Sequence, residues 1–129
     1  MDQQLWAVIE RGLTCDITTI GRQSGQPRRI EIWYFVIDGT VYISGTPGPR
    51  DWYANVQADP QLIFHVKQGA HADLPAWAEP IGDPAERRRI MARIKAANSY
   101  FGGDDLEAWV AGSPLIAVHF APADLPEQG

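Results

Sequence analysis

A single cysteine, Cys15, stands in a chain of 129 residues. One thiol excludes an internal disulfide and a multi-cysteine metal site. Long apolar runs are missing as well, and nothing approaches the roughly 18 residues that a membrane-crossing helix needs. The stretch from Met1 to Thr14 carries Asp2, Glu10 and Arg11 among its apolar residues. It has neither a basic start nor a signal-type apolar run, so it reads as mature protein. With the lone thiol, this predicts a cytoplasmic address. Basic charge is in deficit: 11 Lys and Arg face 16 Asp and Glu, for a net charge of −5. That balance excludes the broad positive field of a general nucleic-acid binder. The Gly-x-x-x-x-Gly-Lys-[Ser/Thr] spacing of a phosphate-binding Walker loop is absent. His65, His71 and His119 fall at separate places without ligand spacing, so no metal site is predicted. No convincing nucleophile–base triad or carboxylate pair is present either.

Turn formers are plentiful, with 10 prolines and 12 glycines, and apolar residues make up 45% of the chain. This predicts one domain over residues 1–129 with many short elements and one core. Leu5 to Arg11 reads as a short amphipathic helix that Gly12 stops. From Thr14 the period becomes two: Cys15, Ile17 and Thr19 alternate with polar neighbours, as in a strand. Arg28 to Ile37 reads as one strand with apolar residues on both faces, which predicts a central, doubly buried position. Asp38-Gly39 is a hairpin turn, and Val41 to Ser44 the returning strand. Asp51 is placed to cap a helix from Trp52 to Ala58, which Asp59-Pro60 ends. Leu62 to Val66 and His71 to Glu79 are further strands, the second interrupted by Pro75. Asp83-Pro84-Ala85-Glu86 combines a cap, a first-turn proline and a capping-box acid. The helix that follows carries Ile90, Ile94 and Ala97 in one stripe. Arg87, Arg88, Arg89, Arg93 and Lys95 read as its solvated face. A second capped segment spans Asp104 to Ala111, giving a helical insertion near 83–111, and Leu115 to Phe120 is the last strand. Strands linked by hairpins, with helices at the edges and no regular strand–helix alternation, predict a mainly β fold: a six-stranded antiparallel split β-barrel.

Positive charge is concentrated locally. Between Ile17 and Ile30 stand Arg22, Arg28 and Arg29 and no acid. Such a patch on an acidic protein suits a small anionic ligand. Within Gly21-Arg22-Gln23-Ser24-Gly25-Gln26-Pro27-Arg28, glycines allow a tight turn that exposes amides. Ser24 adds a hydroxyl, and two guanidinium groups can grip phosphate or carboxylate oxygens. A polar hairpin turn with solvated arginines is the alternative. A second segment, Ser44-Gly45-Thr46-Pro47-Gly48-Pro49-Arg50-Asp51-Trp52, leads a cation into a helix N-terminus, where free amides and the helix dipole favour an anion. Its alternative is a helix whose donors Asp51 already satisfies. Trp33, Tyr34, Trp52, Tyr53, Tyr100 and Trp109 offer ring faces, most of them suited to core packing. Tyr100, in a glycine-flanked loop, suits a ligand better.

Taken together, these segments resemble the deazaflavin-dependent nitroreductase family, within the flavin reductase-like and FMN-binding split β-barrel superfamily. The resemblance runs through Thr18-Thr19-Ile20-Gly21-Arg22-Gln23-Ser24-Gly25-Gln26-Pro27-Arg28-Arg29, Ile32-Trp33-Tyr34 and Tyr42-Ile43-Ser44-Gly45. It continues through Gly48-Pro49-Arg50-Asp51-Trp52-Tyr53-Ala54-Asn55-Val56-Gln57-Ala58-Asp59-Pro60. It covers about half the chain in the right order. The resemblance implies a split barrel that binds coenzyme F(420), with Arg22, Gln23, Ser24 and Arg28 meeting the phosphate and anionic tail. It implies further contacts from Ser44, Gly45, Pro49, Arg50 and Trp52, and Tyr100 facing the substrate as the catalytic-side residue. Three positions depart from the family: Gln23 stands where lysine is common, the loop from Thr46 to Asp51 is short, and Glu31 replaces a small or hydroxyl residue.

The leading expectation is therefore an oxidoreductase that passes a hydride from the reduced deazaflavin to a small planar acceptor, a quinone, nitroaromatic or enone. The same barrel with FMN is the nearest alternative. A non-catalytic cofactor carrier or sensor, and a pure interaction protein, are the competing classes. A homodimer formed through barrel faces is compatible with the sequence.

Overall fold

Cys15, Ile17 and Thr19 point into the interior along strand β1 (Thr14–Ile20), while Thr14, Asp16, Thr18 and Ile20 point outward. This alternation follows from the two-residue period of an extended chain. A computed structural model describes residues 1–97 and 105–121. Before β1 runs helix α1 (Gln3–Arg11), whose N-cap Asp2 accepts from the Gln4 amide. After it come strands β2 (Pro27–Trp33), β3 (Phe35–Ile37) and β4 (Thr40–Ser44), helix α2 (Asp51–Ala58), and strands β5 (Gln61–Val66) and β6 (Ala72–Pro80). Helices α3 (Pro84–Ala97) and α4 (Leu106–Gly112) precede the final strand β7 (Leu115–Phe120).

The seven strands form one antiparallel sheet in the order β2-β1-β5-β6-β7-β4-β3. Its two edge strands, β2 and β3, are consecutive in the chain and separated only by Tyr34. The sheet must therefore curl until its edges meet at that residue, which gives the split barrel. Tyr34 fastens the corner. Its amide donates to Leu13 O at 3.1 Å, its hydroxyl donates to Ile9 O at 2.6 Å, and its ring meets Phe64 edge-on. A methyl at Gly12 would overlap that hydroxyl, so glycine lets α1 approach the corner. Burial pushes the Tyr34 hydroxyl pKa up to about 12, and the Cys15 thiol likewise to about 12.

The break at Tyr34 corrects two expectations. Residues 28–37 are two strands, so the sheet has seven strands rather than six. Moreover, β2 is an exposed edge, not a buried central strand. The apolar face pattern nevertheless has a physical reason. Ile32, Tyr34 and Val36 join the barrel interior with Ile17, Ile43 and Phe64. Trp33, Phe35 and Ile37 lie on the outer face beneath α3 and α4, with Ile90, Met91, Ile94 and Trp109. Each face belongs to a different core, because α3 and α4 pack over the outer-face residues of β3, β4 and β7. The turn at Asp38-Gly39 has both residues in the left-handed region, as a two-residue hairpin with this twist requires.

Arg87 is a further correction. Instead of joining the solvated face of α3, it is buried and donates to the carbonyls of Ile81, Trp109, Val110 and Ser113. It thereby satisfies the Val110 and Ser113 carbonyls at the C-terminal end of α4 and ties them to Ile81 ahead of α3. Arg88, Arg89 and Arg93 are exposed and pair with Glu107, Glu86 and Asp38. Asp83 caps α3 by accepting from the Glu86 amide, but Ala97 is exposed, and Met91 takes its place beside Ile90 and Ile94. The cap of α4 is Asp105, one residue later than expected. Tyr100 and Asp104 lie outside the described residues. No helix among the described residues is long and apolar enough to cross a membrane.

Candidate functional site

Helix α2 is amphipathic in an unusual way. Trp52, Asn55 and Val56 face inward at the i, i+3, i+4 spacing, and the middle one is polar. Asn55 is buried, so its amide must be paired. Its Oδ1 accepts from the Arg22 amide at 3.1 Å and from Arg22 Nη1 at 3.0 Å, while its Nδ2 donates to Thr19 Oγ1 at 3.2 Å. One side chain thus joins β1, the turn after it and α2.

That turn is closed from within. The Gly21 amide donates to Gln26 O, the Gly25 amide to Gly21 O, and the Gln26 amide to Ser24 Oγ. Gly25 is left-handed at φ 71°, and a Cβ on Gly21 would sit 2.6 Å from Ser24 Oγ and 3.5 Å from Arg28 Nε. With Arg22 N also engaged, the amides of Gly21, Arg22, Gly25 and Gln26 are all paired within the protein.

Between this turn and the N-terminal end of α2 lies a cleft of about 530 Å³. Arg22, Gln23, Ser24 and Arg28 line one side and Asp51, Trp52 and Asn55 the other, with Thr19, Gly21 and Ile30 at its base. Arg28 has no carboxylate partner among the described residues. By contrast, its neighbour Arg29 points to the opposite face of β2 and binds Asp16 at 3.0 Å. Arg50, not Asp51, is the N-cap residue of α2, and no side chain caps that end. Asp51 instead turns toward Arg22 Nη2, at 3.4 Å.

The remaining residues of the second segment lie elsewhere. Ser44 is buried and donates to Pro114 O at 2.6 Å. Arg50 folds back on its own loop, donating to the carbonyls of Thr46, Gly48 and Pro49. Gly45 packs beside that guanidinium. Ser44, Gly45, Pro49 and Arg50 thus shape the loop ahead of α2, while the cleft wall itself carries Arg22, Gln23, Ser24, Arg28 and Trp52. Asn55 and Asp51 were not singled out as site residues from sequence. The signal for Asn55 was available: a polar residue one turn after Trp52 on the buried side of a helix.

A second polar chain lies on the outer face, away from the cleft. His65 Nε2 meets Thr18 Oγ1 at 2.7 Å and His65 Nδ1 meets Asp73 Oδ1 at 2.7 Å, which satisfies a buried imidazole. Among the described residues, no cluster of three or more His, Cys, Asp or Glu could hold a metal.

Residues 9–109 match the family model of the F(420)H(2)-dependent quinone reductases. The chain belongs to that family. It is accordingly an oxidoreductase that depends on the deazaflavin cofactor F(420). Solved structures agree on the fold. A conserved hypothetical protein, Rv2991, from Mycobacterium tuberculosis is 20% identical, with a TM-score of 0.67 over 91% of this chain and 79% of that one. An F(420) reductase is 19% identical, with a TM-score of 0.65 over 89% and 91%. A Listeria innocua protein, named as a candidate pyridoxamine 5'-phosphate oxidase, is 15% identical, with a TM-score of 0.68 over 91% and 90%. The family's cofactor carries a negatively charged tail. A cleft with one guanidinium held by Asn55 and another without a carboxylate partner among the described residues has the donor set for it.

Proposed function

We propose that the cleft between the Gly21–Arg28 turn and α2 seats the anionic tail of F(420), and that the protein reduces a quinone. The guanidinium of Arg28, without a carboxylate partner among the described residues, beside the Asn55-held guanidinium of Arg22 carries this reading. Two such groups facing one space, without full carboxylate compensation, repel one another unless an anion joins them. Gln23 and Ser24 add neutral donors at the rim. Ile30, which is exposed, supplies apolar surface on which a ring system can lie while water is displaced, and the buried Trp52 backs the cleft wall. When bound, the reduced deazaflavin supplies a hydride, and a quinone is a two-electron acceptor of matching chemistry. Arg22 and Arg28 bind and orient, and the loop from Thr46 to Arg50 holds the wall in place. Tyr100 is proposed to face the acceptor.

The test is an absorbance titration with F(420), followed by mixing the reduced cofactor with menadione. Saturable binding and reoxidation only when protein and quinone are both present support the reading. Binding of FMN but not F(420) overturns the cofactor assignment. Binding without reoxidation by menadione overturns the quinone assignment, and failure with a nitroaromatic and an enone as well makes this chain a carrier.

A further inference from the structure

Arg22 has two partners of opposite character. Asn55 is buried and itself held by Thr19, so its grip on Nη1 is rigid. Asp51 meets Nη2 at the longer distance of 3.4 Å, from a side chain that is 94% exposed. An exposed, poorly aligned ion pair of this kind contributes little to folding. Its carboxylate does, however, occupy the edge of the guanidinium that borders the cleft. The charges bordering the cleft are then two cations, Arg22 and Arg28, and one anion, Asp51.

We propose that Asp51 is a specificity-determining residue: a built-in counter-ion that an anion must displace to reach Arg22. This rests on the reading of the cleft as an anion site. The consequence is selective. A small anion gains one guanidinium edge and loses it to a carboxylate that is already tethered nearby, at high effective concentration. A longer ligand that places its charge on Arg28, which lines the same cleft and has no carboxylate partner among the described residues, need not displace Asp51 in order to bind. Asp51 therefore weakens the capture of stray anions more than it weakens the capture of a ligand filling the cleft, which is selection by a repulsive element. Asn55 leaves Arg22 correctly aimed when the carboxylate swings away.

The experiment titrates the wild type, Asp51→Asn and Asp51→Glu with inorganic pyrophosphate at low and high salt, following the Arg Nε–Hε resonances. The same three proteins are titrated with F(420). Asp51→Asn is expected to bind pyrophosphate about two- to fivefold tighter than wild type, the size of one exposed ion pair. Its affinity should also fall more steeply with salt, because one more positive charge is uncompensated. Asp51→Glu keeps the charge and should behave as wild type. The inference is overturned if Asp51→Asn binds pyrophosphate no better than wild type, if Asp51→Glu matches it, or if neither protein binds pyrophosphate. Should Asp51→Asn tighten pyrophosphate while no variant binds F(420), the cofactor reading fails and the counter-ion role stands. Should F(420) bind while Asp51→Asn leaves pyrophosphate affinity unchanged, or tightens both ligands by the same factor, the proposed role of Asp51 fails alone.

Discussion

Asn55 Oδ1 accepts from both the backbone amide and the guanidinium of Arg22, at 3.1 and 3.0 Å. A single buried carboxamide therefore sets both where the turn sits and where its cation points. Asn55→Ala would leave the Thr19 hydroxyl and the Arg22 amide short of a partner. It is expected to cost about 1–3 kcal/mol of stability and to weaken F(420) binding, although Asn55 itself contributes no charge. Urea unfolding and a cofactor titration on the same protein check the two effects. A stability loss with unchanged affinity would show that Arg22 needs no guide.

Arg87 makes a sharper prediction. Its guanidinium donates to four carbonyls and has no carboxylate partner among the described residues. Replacing it by methionine keeps much of the volume and strands those acceptors in the interior. The loss should be about 3 kcal/mol or more, in the range for breaking a buried charged network. Arg89→Met, on the exposed side of the same helix, should stay within about 0.5 kcal/mol of wild type. Denaturation midpoints of the two variants check the contrast.

Much of this architecture is readable in the chain, and the exceptions share a cause. Cys15, Ile17 and Thr19 announce β1 through their period, Asp38-Gly39 announces its hairpin, and Asp83 with Glu86 announces α3. All are local signals, settled within a few residues. Residues 30–37 announced two apolar faces correctly, but not that the faces belong to two different cores. That depends on where α3 and α4 come to rest, some fifty residues later. Arg87 is hidden for the same reason: in a run of three arginines, only the fold decides which one turns inward. In the site, the motif from Gly21 to Arg28 pointed to the cleft. Arg50 looked equivalent to Arg22 and Arg28 because charge and proximity are all that sequence offers. Its guanidinium is instead consumed by the carbonyls of its own loop.

Acid should reveal the outer-face charge network. A hydrogen bond from Lys67 is the main influence holding the Asp16 carboxyl below its usual range; burial opposes it and Arg29 assists. The native carboxyl binds a proton less readily than the unfolded one. Its contribution is thus complete above the unfolded value of about 3.9 and is lost as pH falls through the lower native value. Lys67→Met removes the chief cause. The difference between urea midpoints at pH 7 and pH 3 should be smaller in this variant than in wild type. An unchanged difference would place the acid sensitivity elsewhere, for instance at Asp38 with Arg93.

Arg28 and Arg29 are adjacent, identical in chemistry and directed to opposite faces of β2, so they form a natural control for the central claim. The decisive measurement is the F(420) dissociation constant of Arg28→Ala against that of Arg29→Ala. Loss of a charge-assisted contact of about 1.5–3 kcal/mol predicts that Arg28→Ala weakens binding by roughly ten- to hundredfold, while Arg29→Ala binds as wild type. Equal affinities in both variants, or a larger loss in Arg29→Ala, would contradict the account.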